Sequence, residues 1–156
     1  MKPVSSPLKI LDFAIMRMNY EFIPPEKPVK VEPFFEKYDL DVDFKIFKND
    51  ALQIVITADI NHSDKPLPGY KISTEVAALF KLDESILITE DEKQSVEGYS
   101  SVYMALNCLR TLVSGFTANA PFGRYILPSI DLNDLIRKKR ESAQDETETK
   151  KSKNKK

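Results

Sequence analysis

Four prolines, Pro24, Pro25, Pro28 and Pro33, fall within ten residues of one another. Each lacks a backbone N–H donor and biases the residue before it toward extended geometry, so neither a helix nor a paired strand runs through residues 24–38. A connection this long is unusual inside a compact domain, where about 4–6 residues is typical. It ends in Phe34, Phe35 and Tyr38, aromatic residues that a solvated loop does not need. The segment is therefore predicted to be an ordered crossover that packs over the rest of the fold.

Sheet periodicity flanks it on both sides. Ala14, Met16, Met18, Tyr20 and Phe22 alternate with Ile15, Arg17, Asn19 and Glu21, which predicts a half-buried strand from Ala14 to Phe22. Its start, at Ile10, Leu11 and Phe13, is predicted to be covered on both faces. Leu40, Val42, Phe44 and Ile46 then alternate with Asp39, Asp41, Asp43 and Lys45, followed by a tight turn at Asn49-Asp50. Leu52, Ile54, Ile56, Ala58 and Ile60 return against Gln53, Val55, Thr57, Asp59 and Asn61, so 39–61 reads as an antiparallel hairpin. A fourth strand follows the polar loop 61–69, with Tyr70, Ile72, Thr74, Val76, Ala78 and Phe80 facing inward. The outer face is mixed, so only one face needs a covering layer within the chain; the Ile15, Val55, Ala77 and Leu79 that it keeps suggest partial burial in an oligomer, against the alternative of scattered surface residues.

Helical spacing supplies that layer. Val96, Tyr99, Tyr103, Leu106, Leu109 and Val113 form one stripe, and Val102, Ala105, Leu112 and Phe116 widen it, with Gly115 placed to end the helix. Pro121–Pro128 reads as extended, and Asp131 as the N-cap of a short last helix through Leu132, Leu135 and Ile136. Residues 137–156 hold nine Lys/Arg and four Asp/Glu, a charge of +5, which leaves −6 on the remaining 136 residues. The predicted fold class is α+β. It has a four-stranded antiparallel sheet, a long proline-rich crossover after the first strand, and C-terminal helices over one face. Residues 1–140 form the one domain and 141–156 a disordered charged tail.

Composition argues against chemistry. Among 156 residues, four glycines leave no GxxxxGK[ST] or GxGxxG loop, and one histidine with one cysteine leaves no Cys/His zinc site within the chain. His62 reads as a surface-loop residue and Cys108 as a small hydrophobe on the helix. Asp39, Asp41 and Asp43 read as a solvated strand face, because same-face residues of one strand diverge too far to cage a cation. No catalytic residue, metal or cofactor is expected. No run approaches the ~20 apolar residues of a membrane helix, and a cytoplasmic protein without membrane insertion is expected. The Lys-rich tail lacks interleaved aromatics, so nucleic acid is not the expected partner.

In Leu109-Arg110, Phe122, Ile126-Leu127-Pro128-Ser129-Ile130-Asp131-Leu132 and Asp134-Leu135, the chain resembles the SecB family of protein-export chaperones. Pro33-Phe34-Phe35-Glu36-Lys37 resembles that family's aromatic crossover loop, and Thr74-Glu75-Val76 its fourth strand; the resemblance spans roughly residues 8–140. It implies an ATP-independent holdase that binds unfolded polypeptide clients and self-associates as a dimer or as a tetramer built from two dimers. It also implies a client groove lined by Phe34, Phe35, Tyr38, Tyr99, Tyr103 and Phe116. Glu21 and Glu75 match acidic positions that face the SecA translocase ATPase in the family, whereas Arg17 stands where an acid is usual. The resemblance implies a role in protein export and translocation first, with the holding of the antitoxin of a toxin–antitoxin pair as the alternative. The alternatives from other classes are a small-ligand module or enzyme on the same sheet, and a nucleic-acid binder acting through the tail.

Overall fold

The computed structural model describes residues 1–2, 5–27 and 32–153, and the side chains of all of these except 32, 33 and 143–153. Pro28 and residues 29–31 of the crossover, and 154–156 of the tail, lie outside the described residues. Strand β1 spans Leu8–Ile23, β2 Leu40–Lys48, β3 Leu52–Ile60 and β4 Gly69–Leu82, with a single helical turn α1 at Glu32–Phe35. Every pairing is antiparallel and the strand order is β1-β4-β3-β2. The hairpin and the fourth strand therefore stand as the alternation predicts. The crossover links β1 on one edge to β2 on the other, which is why it needs its length.

A helical layer covers one face. Helix α2 (Glu90–Ser95) runs through a π-helical turn (Val96–Ser100) into α3 (Ser101–Thr117). Thr89 caps it in a reciprocal capping box with Glu92. Val102, Ala105, Leu106, Leu109 and Val113 of α3 bury against Ile54, Ile56, Ile72, Val76 and Phe80 of the sheet, and these residues form the core.

Three local expectations are corrected. First, β1 carries register shifts between Ile10 and Asp12 and between Ile15 and Arg17, so Leu11 and Met16 are extra residues. Each inserted residue moves the following side chains to the opposite face. Ile15 consequently pairs with Val76 on the helix side, and Ala14 with Ala77 on the open side, the reverse of the simple alternation. Ile10 and Leu11 are exposed rather than covered on both faces.

Second, Gly115 lies inside α3, which continues to Thr117. The left-handed geometry falls at Gly123 (φ 75°), within the extended segment after the helix. Third, the last helix α4 spans Leu132–Lys153, so it enters the region expected to be a disordered tail. Asp131 caps it, its Oδ1 accepting from the amides of Asn133 and Asp134 at 2.9 and 3.2 Å. Ion pairs at helical spacing, Arg137–Glu141 (2.9 Å) and Lys138–Asp134 (2.8 Å), support its exposed first turns.

Candidate functional site

The crossover delivers its aromatics to the edge of the core. Phe35 packs within 5.3–5.5 Å (ring centroids) of Tyr38, Tyr70 and Tyr125. Tyr38 is buried; its hydroxyl donates to the Pro68 carbonyl at 2.8 Å and accepts from the Tyr70 amide at 2.9 Å. The Tyr70 hydroxyl accepts from the Phe122 amide and donates to the Gly123 carbonyl, both at 2.8 Å. Burial holds all three phenols in their neutral form, with the pKa of Tyr38 and Tyr70 raised and that of Tyr125 pushed up to about 12. These tyrosines tie three loops to one point.

Asn61 completes that end of the sheet. It is buried at φ 59°, a left-handed conformation that asparagine tolerates better than most residues. Its side chain accepts from the Leu67 amide and donates to the carbonyls of Leu67 and Tyr70, which shapes the 61–69 loop. Arg110 performs the same service for the segment after α3, donating to the carbonyls of Leu127 (3.2 Å) and Pro128 (3.1 Å). That contact joins the Leu109-Arg110 and Leu127-Pro128 motifs in space.

The six aromatic candidates do not line one groove. Phe35 and Tyr38 belong to the core-edge cluster. Phe34, half-buried, walls a separate hollow of about 530 Å³ with Ile23, Pro24, Pro25, Pro66 and Pro68. Tyr99 lines a larger groove of about 710 Å³ with Phe44, Ile46 and Ile136, between β2, the π turn and α4. Tyr103 stands 54% exposed one turn further along α3. Phe116, 46% exposed, lies on the β1 side with its ring edge-on to Tyr20 at 5.3 Å. Glu21 and Glu75 both lie on the open sheet face, where Glu21 pairs in register with Lys71 and Glu75 with Arg17, 4.0 Å from its carboxylate.

Of a second set of exposed apolar residues, sequence reasoning singled out only Ile15, as an apolar residue of the outer sheet face. Ile10, Leu11, Ile15 and Met16 are exposed along β1, and Ile126 beyond α3. The β1 set clusters at the two bulges, a signal that no turn residue marks in the sequence.

The polar candidates hold no reactive arrangement. The His62 amide donates to Asp39 Oδ2, and its ring lies 4.0 Å from Asp59. Burial raises the Cys108 thiol above its ordinary pKa, which disfavours the reactive thiolate. Lys139 bridges Asp43 at 2.6 Å. Among the described residues, no group of three His, Cys, Asp or Glu is placed to hold a metal ion, and no helix is long and apolar enough to cross a membrane.

Among the described residues the buried Tyr20 hydroxyl has no hydrogen-bond partner, and burial raises its pKa. A buried hydroxyl left unpaired costs about 1–3 kcal/mol. Tyr20→Phe is therefore expected to raise the melting temperature by a few degrees, as read by thermal unfolding. A fall would show that the hydroxyl has a partner in solution.

No protein-family model matches the chain, and no curated protein matches it by sequence. Among solved structures, eleven chains match. One is the Mycobacterium tuberculosis Rv1957 SecB-like chaperone in complex with a ChAD peptide from the Rv1956 HigA1 antitoxin. It is 16% identical, with a TM-score of 0.54, over 80% of this chain and 91% of that one. A Streptococcus agalactiae protein of unknown function also aligns, at 12% identity and a TM-score of 0.46, over 81% of this chain and 100% of that one. With four antiparallel strands in the order β1-β4-β3-β2, the long crossover and the helices on one face, the chain has a SecB-like fold, in a sequence far diverged from that of the mycobacterial chaperone.

Proposed function

We propose that the protein is an ATP-independent holdase that keeps non-native polypeptide segments soluble. The observation that carries this reading is the set of large aromatic side chains left in solvent on the helical layer, Tyr99, Tyr103 and Phe116. They stand on a fold whose mycobacterial example was solved holding an antitoxin peptide.

The energetics suit such a task. An aromatic side chain buries about 150–250 Å² when fully covered. Covering the open half of one ring, at ~25 cal/mol per Å², contributes about 2–3 kcal/mol. Three such contacts give a gross 6–9 kcal/mol, roughly, before the cost of ordering client and side chains, which predicts micromolar or weaker binding without sequence specificity.

The proposed client-contacting residues are Phe34, Tyr99, Tyr103 and Phe116, with Phe35 and Tyr38 shaping the crossover that presents Phe34. Self-association as a dimer or tetramer is part of the proposal. A 16-residue edge strand with exposed isoleucine, leucine and methionine is a surface that soluble proteins cover. The antitoxin-holding role is favoured over general export, because Arg17 pairs with Glu75 on the open sheet face and dilutes the acidity that SecA docking would use.

The test is fluorescence anisotropy of a labelled, permanently unfolded polypeptide, without nucleotide and then with ATP. Saturable binding unchanged by ATP is expected. No saturable binding at protein concentrations well above the micromolar range, or binding that appears only with ATP, would overturn the reading. Addition of purified SecA separates the two roles, since co-migration with SecA in sedimentation would favour export.

A further inference from the structure

The groove beside Tyr99 has an unequal charge on its two walls. Its floor is apolar, formed by Phe44 and Ile46 of β2 with Ile136 of α4. At about 710 Å³ it falls within the ~300–1,000 Å³ of ordinary ligand pockets. Gly98, on the π turn, lines it, and a Cβ placed there would meet nothing within 4 Å. The glycine thus leaves a notch of open space in one wall.

Helix α4 forms the opposite wall with Arg137, Lys139, Arg140 and the acid Glu141. Two of these cations are already neutralised. Arg137 is bridged by Asp134 and Glu141, and Lys139 by Asp43. Arg140 is the lining cation with no ion pair among the described residues. Across the groove, the α2 wall carries Asp91, and Glu90 and Glu92 flank it in the same first turn. An anionic occupant is thus drawn to one wall and repelled by the other.

We propose that this groove seats an apolar side chain of an extended polypeptide whose neighbouring carboxylate pairs with Arg140, so that the protein prefers apolar segments flanked by acidic residues. The inference rests on the holdase reading and adds a charge preference to it. The preference runs against the charge of the body, −6 outside residues 137–156, which by itself repels acidic clients. A measured preference for acidic segments therefore points to this wall rather than to the overall field.

The test uses two short labelled peptides with the same leucine and phenylalanine positions, flanked by glutamates in one and lysines in the other. At low salt the glutamate peptide is expected to bind the full-length protein about two- to fivefold more tightly, the upper range of one solvent-exposed ion pair. High salt is expected to shrink the difference. Arg140→Glu reverses the order, and Gly98→Phe weakens both peptides by filling the notch. Thermal melts of both variants control for folding.

Equal or tighter binding of the lysine peptide overturns the inference. So does an unchanged order in Arg140→Glu, or unchanged binding in Gly98→Phe with a wild-type melting temperature. If a permanently unfolded polypeptide binds but no charge order is found, this inference alone fails. If neither the polypeptide nor the peptides bind, the holdase reading fails with it.

Discussion

Tyr70→Phe is expected to destabilise the protein by about 2–3 kcal/mol, although it removes a single oxygen atom. That oxygen accepts from the Phe122 amide and donates to the Gly123 carbonyl, both at 2.8 Å, in a part-buried site where neither partner has a second bond from the same residue. Phenylalanine fills the same volume, so no cavity term enters; the loss is the cost of leaving a donor and an acceptor unpaired. For a chain of this size the melting temperature should fall by roughly 5–10 °C. The loop at 120–125 should also become the first site of amide exchange, because the hydroxyl is what fastens it to β4. A melting temperature within a degree of wild type would mean that water replaces both bonds at no cost. The contrast with Tyr20, whose hydroxyl has no partner among the described residues, makes the pair informative: the same chemical change is expected to act in opposite directions at the two positions.

The second large effect is on client handling. Tyr99→Ser, Tyr103→Ser and Phe116→Ser combined are expected to weaken binding of an unfolded polypeptide at least tenfold, since each removes about 2–3 kcal/mol of gross apolar contact. All three side chains are exposed, so the melting temperature should stay within a few degrees of wild type. Phe35→Ala is the opposite case. Its ring touches Tyr38, Tyr70 and Tyr125, so its loss lowers stability first, and any loss of client binding follows from the damaged crossover. Anisotropy and thermal melts on the same samples separate the two. Undiminished binding by the triple variant would remove the helical-layer aromatics from the account.

The strands β2, β3 and β4 are legible because nothing interrupts their period. Leu40, Val42, Phe44 and Ile46 face Ile60, Ala58, Ile56 and Ile54 across the hairpin without a slip. Strand β1 is only half legible: its residues are strand formers throughout, but Leu11 and Met16 are inserted into the ladder with no glycine or other marker. Alternation alone therefore puts Ala14 and Ile15 on each other's faces. The far end of α4 was obscured by its polarity. Tertiary apolar contacts stop near Ile136, and the helix beyond rests on local pairs such as Arg137–Glu141, which a hydrophobic pattern does not register.

The candidate residues show the same division between type and place. That Phe34, Phe35 and Tyr38 end the crossover and pack toward the rest of the fold follows from the prolines and from the aromatics themselves. Which of them faces solvent does not, because it depends on Tyr70 and Tyr125, residues far away in sequence that meet Phe35 only in the folded chain. Likewise, Tyr99 and Phe116 share an apolar helix in the sequence, yet one borders β2 and α4 and the other packs on Tyr20 of β1. A helix crossing a sheet presents two flanks, and the helical period alone does not say that they open onto different surfaces.

The central claim is that the exposed apolar side chains of this SecB-like fold hold non-native chains. Light scattering of a chemically denatured protein diluted into buffer, with equimolar full-length protein and no nucleotide, tests it most directly. The account predicts that aggregation falls by more than half and that adding ATP changes nothing. Scattering that rises as fast as in buffer alone, even with the protein in several-fold excess, would contradict it.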